Sequence, residues 1–269
     1  MTRIALGLEY DGHFFHGWQR QPALPTIQGH LENALSQIAD TSITTVCAGR
    51  TDAGVHATAQ VVHFDCENLR PLRSWIFGTN TLLPGGIRVL WAKEVPDTFN
   101  ARFSATGRRY RYVIYNHPIR PSLLRHHADW DYRKLDARKM QAAAQHWVGE
   151  HDFSSFRAAE CQSLTPVRTI HAIQIVRIGD QVVIDMVATA FLHHMVRNMV
   201  GVLKEIGSGE LSTLKAKQIL EAKDRKQAGV TASPFGLYLV EVQYPSGYDL
   251  PLSPIGPWFL KTTEGSLLI

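Results

Sequence analysis

The chain has 269 residues, 45% of them hydrophobic, which is enough to bury a sizeable core in one large domain or two smaller ones. Its 28 lysines and arginines against 24 acidic residues give a net charge of +4, an excess common among enzymes that identifies no partner by itself. The N-terminal residues reach Glu9 too early for a signal peptide, and no apolar run approaches the roughly 20 residues of a membrane helix, so we expect a cytoplasmic protein.

The first half of the chain shows strand patterns interrupted by helical ones. In chain order the predicted elements are a strand at 3–10, a helix at 26–39, strands at 44–48 and 60–65, a helix at 75–83 and a strand at 87–95. The helix at 26–39 has the clearest pattern, because its apolar residues recur every three or four positions and Thr26 can cap its N-terminus. The segment 49–57 connects the two short strands as a loop.

The second half contains elements of the same kinds. They are a strand at 109–116, a helix at 136–148, strands at 170–178 and 182–188, helices at 195–206 and 212–222, and a strand at 237–242. Gly179 and Asp180 connect two of these strands and indicate a tight hairpin.

Two successive groups of strands and helices predict an α+β protein built from two similar halves, each a mainly antiparallel sheet flanked by helices. We place the halves at residues 1–103 and 104–269. If the two sheets face each other, a cleft between them could hold a polymeric ligand, with the 49–57 loop at the cleft.

Basic and aromatic side chains are interleaved near the middle of the chain. The residues are Arg102, Phe103, Arg108, Arg109, Tyr110, Arg111 and Tyr112. Positive charge pairs with phosphates and aromatic faces stack on unpaired bases, so the mixture suits a polynucleotide groove. A strand with a solvated basic face explains the pattern equally well, and the residues alone leave both interpretations open.

The loop at 49–57 reads Gly-Arg-Thr-Asp-Ala-Gly-Val-His-Ala. Its two glycines permit backbone angles that other residues avoid and present Arg50 and Asp52 at a sharp turn. Taken alone, Asp52 two positions before Gly54 is most simply explained as a turn residue whose side chain bonds the backbone.

The whole loop motif resembles the active-site motif of the tRNA pseudouridine synthases of the TruA family. The resemblance extends over most of the chain, through matching segments at 8–12, 17–21, 103–112, 191–198 and 236–240. It implies a pseudouridine synthase fold with ferredoxin-like halves, a homodimer, and conversion of uridines 38, 39 and 40 in the anticodon stem-loop of tRNA to pseudouridine.

The resemblance also implies roles for individual residues. Asp52 would be the catalytic carboxylate, and Arg197 would pair with it and hold its direction. Arg50 would enter the RNA stack as the uridine flips out, and Tyr110 would lie beside the uracil. Without the family motif, Tyr110 is better explained as a core-facing strand residue and Arg197 as an arginine on a helix surface.

Further RNA contacts are implied at positions outside the loop. They are Arg70, Phe99, Asn100, Ala101, Arg102, Phe103, Glu160, Cys161, Gln162, Ser163 and Leu164. The chain departs from the family pattern at Leu164 and Pro118, where a basic residue is expected. Arg168 or Arg120 could supply the missing charge.

We expect no cofactor and no metal. The three cysteines are widely spaced and unpaired, and adjacent histidines such as His193 and His194 point in different directions in a helix or strand.

The sequence leaves two competing hypotheses open. One is a synthase with a different RNA specificity, and the other is a catalytically silent RNA-binding module on the same scaffold.

Overall fold

The computed structural model describes residues 1–68 and 70–260. By their contacts these residues form two units, unit 1 with Met1–Thr106 and residues 238–260, and unit 2 with Gly107–Leu237. Residues 238–260 group with unit 1 because Tyr238 and Leu239 pair with His56 and Ala57 in a parallel ladder. The division of the sequence into 1–103 and 104–269 stays a prediction.

The described residues of unit 1 form five strands and two α-helices. In chain order they are β1 (Thr2–Tyr10), α1 (Ile27–Ala39), β2 (Val46–Cys47), β3 (His56–Cys66), α2 (Thr79–Leu82), β4 (Ile87–Val95) and β10 (Leu237–Gln243). The sheet runs β4-β1-β3-β10, with β2 paired to β3, and both neighbours of β1 are antiparallel to it. One turn of π-helix, Ser74–Gly78, leads directly into α2.

The helix α1 begins and ends where its residues dictate. Thr26 has extended backbone angles, and its hydroxyl accepts a hydrogen bond from the Gly29 amide at 3.3 Å, which satisfies one of the unpaired amides of the first turn. Asp40 in the left-handed conformation ends the helix. The buried face carries Ile27, Leu31 and other apolar residues of the predicted stripe.

Unit 2 is also built from strands and helices. Its elements are β5 (Gly107–Asn116), β6 (Asp129–Asp131), α3 (Ala137–Ala144), β7 (Gly149–Asp152), β8 (Val167–Ile178), β9 (Gln181–Ala188), α4 (Met195–Ser208) and α5 (Lys215–Ala222). The strands follow the order β5-β9-β8-β7 in antiparallel pairs, and β6 joins β5 in parallel. The predicted hairpin at Gly179 is confirmed, with φ of 56° at that glycine.

The predicted α+β class with mainly antiparallel sheets is confirmed, and the differences lie in lengths. The strand predicted at 60–65 begins at His56, so the last two residues of the 49–57 loop belong to β3. The strand predicted at 44–48 is reduced to Val46–Cys47, and the helix predicted at 136–148 ends as a 3-10 turn. Over the described ranges, we find no helix with the length and apolar character required to cross a bilayer.

Candidate active site

Buried polar side chains of Gln60 and Tyr10 hold the loop that precedes β3. The Gln60 side chain donates to the Gly49 carbonyl at 2.6 Å and to the Tyr10 hydroxyl at 3.2 Å. That hydroxyl lies 2.8 Å from the Thr51 hydroxyl, and the Trp18 amide donates to the Thr51 carbonyl at 3.0 Å. Because Gln60 is fully buried, the network fixes both residues that flank Arg50.

Close backbone packing fixes the other end of the loop. A turn is closed by the Val55 amide on the Asp52 carbonyl at 3.1 Å, and Gly54 adopts a φ of 80° that favours glycine. A Cβ on Gly12 would lie 2.0 Å from the Val55 carbonyl oxygen, so only glycine permits that approach. The main chain therefore closes this turn.

Arg50 and Asp52 differ in exposure. The Arg50 side chain is exposed and the Asp52 side chain is partly buried. Beside the loop, burial raises the pKa of the Cys47 thiol to about 12, and the positive charges of Arg50 and Arg102 oppose that rise. The thiol therefore stays protonated at neutral pH. The charges of Arg50 and Arg102 both influence the Cys47 thiol.

The segment 99–103 divides into a buried and an exposed part. Phe99 and Ala101 are completely buried, so their side chains do not reach solvent. The Asn100 side chain accepts hydrogen bonds from the Arg102 and Phe103 amides, both at 3.0 Å. This Asx-type turn presents Phe103, 78% exposed, with the Arg102 guanidinium 5.3 Å from its ring centre.

His63, which the sequence patterns did not single out, holds this segment against β3. Its Nδ1 accepts a hydrogen bond from the Ala101 amide at 3.1 Å, and its ring meets Phe99 edge to face. Burial, together with the charge of Arg3, lowers the pKa of His63 to about 4 against the opposing effect of Asp65. The neutral ring is therefore the acceptor at physiological pH.

Arg70 lies elsewhere on unit 1. It is exposed, its Nε donates to the Ile38 carbonyl at 3.0 Å, and it borders a surface cavity of about 430 Å³. Arg73 and Phe77 line the same cavity, with the Arg73 guanidinium 5.9 Å from the Phe77 ring centre. A guanidinium beside an exposed ring suits contact with a nucleotide.

In unit 2, Tyr110 lies on β5 between two arginines. Tyr110 is 8% exposed, and its ring meets Phe191 edge to face at 5.1 Å. Asp185 on β9 binds the Arg109 Nε at 2.7 Å and the Arg111 Nε at 2.5 Å. The buried carboxylate bridges the two guanidinium groups and links the strand that carries Tyr110 to β9.

Arg197 lies in the first turn of α4. Its Nε donates to the Ala232 carbonyl at 2.8 Å. His194, the residue just before α4, has a φ of 60°, which is outside the helix and strand regions. Its ring centre lies 4.0 Å from that of His193. The expectation that these adjacent histidines point apart is therefore wrong, because the left-handed residue turns the second ring toward the first.

The segment 160–164 is held by arginines on either side. Arg157 donates to the carbonyls of Cys161 at 2.8 Å and Ser163 at 2.7 Å, and Arg168 donates to the Ser163 hydroxyl at 2.6 Å. Burial would raise the pKa of the Cys161 thiol, but backbone hydrogen bonds and Arg157 lower it. Leu164 is fully exposed, and Arg168 lies beside it.

Comparison with known proteins identifies the family. Residues 8–104 and 143–245 match the family model described as tRNA pseudouridine synthase. The chain is 58% identical over 260 residues to tRNA pseudouridine synthase A of Coxiella burnetii strain Dugway 5J108-111, with 97% of this chain and 100% of the relative covered. The same protein of Legionella pneumophila strain Corby is 58% identical over 258 residues, with 96% and 98% covered.

Among solved structures, a Cbf5-Nop10-Gar1 complex is similar at 11% identity, with a TM-score of 0.38. The match covers 88% of this chain and 48% of that chain, so this chain spans about half the length of its structural neighbour. The sequence relatives and the family model show that the chain belongs to the tRNA pseudouridine synthase family. It is an isomerase, and within this family the relatives named here are the synthases designated A.

Proposed function

We propose that this protein converts uridine to pseudouridine at positions 38, 39 and 40 in the anticodon stem-loop of tRNA. The observation that carries the proposal is the loop around Asp52. Its flanking residues are fixed by the buried Gln60 and by close glycine packing, while Arg50 is exposed and the carboxylate is partly buried. So many constraints on one short loop fit an active-site carboxylate that must point in a fixed direction.

The proposed chemistry needs a carboxylate and no cofactor or metal. Asp52 acts as nucleophile or base, the bond between C1′ and N1 of the uridine breaks, the base rotates, and a bond forms between C1′ and C5. The proton on C5 then leaves and N1 takes up a proton, so the product has the atoms of the substrate. Attack at C1′, addition to the base and removal of the C2′ proton are three possible first steps, and all use the same carboxylate.

Three other residues complete the proposed site, by resemblance to the family. Arg197 pairs with Asp52, which would favour the carboxylate form. Arg50 enters the RNA stack where the uridine has left, because a guanidinium both stacks on bases and binds phosphate. Tyr110 lies against the uracil. Its position on a strand braced by the Asp185 ion pairs supports a role that requires little movement.

The proposed RNA contacts follow side-chain exposure. Arg70 and the Arg102–Phe103 pair offer charge and a stacking face to solvent. In the segment 160–164, Glu160, Gln162 and Leu164 are exposed, and Arg168 provides the charge expected there. Phe99 and Ala101 would act through their backbone and by supporting Arg102.

A homodimer in the cytoplasm is also part of the proposal and follows from the family resemblance. If one tRNA contacts both subunits, its body would bind one subunit while the other performs the chemistry. Sedimentation of the pure protein with and without tRNA would test this, and a monomer at micromolar concentration in both conditions would contradict it.

The experiment that tests substrate and position uses unmodified tRNA transcripts. The pure protein is incubated with a transcript and a chelator, and pseudouridine is mapped at each position. A matched transcript with cytidine at positions 38, 39 and 40 is the control and should gain no pseudouridine. Product elsewhere in both transcripts would favour a synthase with another specificity, and a requirement for added metal would contradict the cofactor-free chemistry.

A further inference from the structure

The segment 229–233, here called the strap, lies close to other parts of unit 2, and four of its five residues are hydrogen-bonded to them. Arg225 donates to the Gly229 carbonyl and to the Thr231 hydroxyl, both at 2.9 Å, and the Thr231 hydroxyl donates to the Asn198 Oδ1 at 2.7 Å. The Tyr112 hydroxyl donates to the Ser233 carbonyl at 2.7 Å. The Val230 carbonyl lies against the Gly201 backbone, and Ala232 bonds to Arg197. The strap has no regular secondary structure, yet its hydrogen bonds to the rest of unit 2 favour a fixed conformation over a loose connection.

The strap and Arg197 are joined by two hydrogen bonds. The Arg197 Nε donates to the Ala232 carbonyl at 2.8 Å, and the Ala232 amide donates to the Arg197 carbonyl at 3.1 Å. A guanidinium is planar, so a hydrogen bond at Nε sets the plane in which its two terminal amino groups lie. The position of the Ala232 carbonyl therefore sets the direction of the Arg197 head group.

Next to Ala232, three polar side chains hold the strap in place. The completely buried Asn198 accepts from the Thr231 hydroxyl at 2.7 Å and from Arg225 at 3.0 Å, and Arg225 also donates to Thr231 at 2.9 Å. Asn198 is itself fixed, because its amide group donates to the Phe156 carbonyl at 2.8 Å. The triangle joins α4, the 3-10 turn Arg225–Ala228 and the strap.

Two glycines make this close packing possible. A Cβ on Gly201 would lie 2.0 Å from the Val230 carbonyl oxygen, so a larger residue in α4 would push the strap outward. Gly229 has a φ of 62° and a ψ of −148°, a conformation open essentially to glycine alone. Both positions therefore serve the approach of the strap to α4.

We propose that Arg225 and Thr231 are positioning residues that set the direction of the Arg197 guanidinium through the strap. The inference rests on the proposed function of Arg197 as the partner of Asp52. Neither residue needs to touch the RNA. Their effect on the reaction is transmitted through the Ala232 carbonyl.

The test compares four variants of the full-length protein. Thr231→Val keeps the shape of the side chain and removes the hydroxyl, and Asn198 keeps its bond to Arg225, so the variant should fold. Thr231→Ser restores the hydroxyl. Arg225→Lys keeps the charge but cannot reach Gly229, Thr231 and Asn198 together. Gln227→Ala, an exposed position in the neighbouring turn, is the matched control.

Two measurements are made on each variant. The first is steady-state kcat and KM on a tRNA transcript. The second is hydrogen exchange of the Arg197 Nε proton by NMR, assigned with Arg197→Lys. We expect Thr231→Val and Arg225→Lys to lower kcat about tenfold or more with KM within a factor of two, because small misplacements of catalytic groups are costly. The Arg197 Nε proton should exchange faster in both. Thr231→Ser and Gln227→Ala should match the wild type.

The outcomes separate this inference from the proposed function. Unchanged kcat in Thr231→Val and Arg225→Lys would overturn the positioning role, as would a fall in kcat without faster exchange at Arg197. If the wild type forms no pseudouridine, the proposed function fails. The exchange measurement would still show whether the strap holds Arg197.

Discussion

The burial of His63, together with the charge of Arg3, makes the stability of unit 1 depend on pH. Its folded pKa of about 4 lies below the value of 6.5 for a free histidine, so the unfolded chain binds more protons between these two values. The contribution of His63 is therefore complete above pH 6.5 and is lost as the pH falls through 6.5 toward 4. At pH 4.5 the loss is about 2.5 kcal/mol, from roughly 1.4 kcal/mol per pH unit across the window.

The matched variant is His63→Asn, whose side-chain oxygen can take the place of Nδ1 as acceptor without titrating. It gives up the ring contact with Phe99, so we expect it to be about 1 kcal/mol less stable at pH 7.5. Urea unfolding of both proteins at pH 7.5 and 4.5 gives the loss for each. The wild type should lose about 2.5 kcal/mol more than the variant. Equal losses in the two proteins would refute the reasoning.

Further predictions concern the ion pairs, the packing and the RNA surface. Asp185→Asn removes the buried charge that the Arg111 guanidinium binds and should cost about 3–5 kcal/mol in urea unfolding. Glu221→Gln in an exposed pair should cost under about 1 kcal/mol, and similar costs for the two variants would contradict the difference in burial between the two pairs. Gly201→Ala should lower the melting temperature by several degrees or prevent folding, and an unchanged value would show that the strap can move freely. Phe103→Ala should weaken tRNA binding about 5- to 100-fold and Phe103→Tyr should restore it, as measured by filter binding; equal affinities would remove the stacking role. The same assay between 50 and 200 mM salt should show a steep loss of affinity, and a salt-independent affinity would argue against phosphate contacts.

The regular elements could be predicted from the sequence because their signals are local. Apolar periodicity and the Thr26 cap located α1, and the Gly179 turn located the β8–β9 hairpin. The short strands β6 and β7 were missed, since three or four residues are too few to show a period. The parallel pairing of Tyr238 with His56 was missed as well, because partners so far apart in the chain leave no local pattern.

The candidate site was predicted only in part, for the same reason. The Asp52 loop stood out through its residues, yet local reasoning favoured a turn, and only the whole motif indicated chemistry. The buried Gln60 is a polar residue in an apolar strand and could have been noticed. The strap gave no signal, because it holds Arg197 through main-chain groups of Ala232, and every residue has such groups.

The burial of Phe99 and Ala101 illustrates a limit of transferring functional residues from a motif. The division into a buried part at Phe99 and Ala101 and an exposed part at Arg102 and Phe103 follows from the turn at Asn100 and from the His63 hydrogen bond. Neither the turn nor the hydrogen bond can be predicted from the residues 99–103 alone. The side chains that solvent reaches, Arg102 and Phe103, are the ones that mutagenesis should address first.

The central claim is that Asp52 performs the chemistry and is dispensable for binding. Single-turnover assays of the wild type and Asp52→Asn test it most directly, with the enzyme in excess of the tRNA and above the Kd measured on the same preparations. We predict a Kd within a few-fold of the wild type and no pseudouridine from Asp52→Asn. Product formed at the wild-type rate, or a loss of product fully explained by lost binding, would contradict the claim.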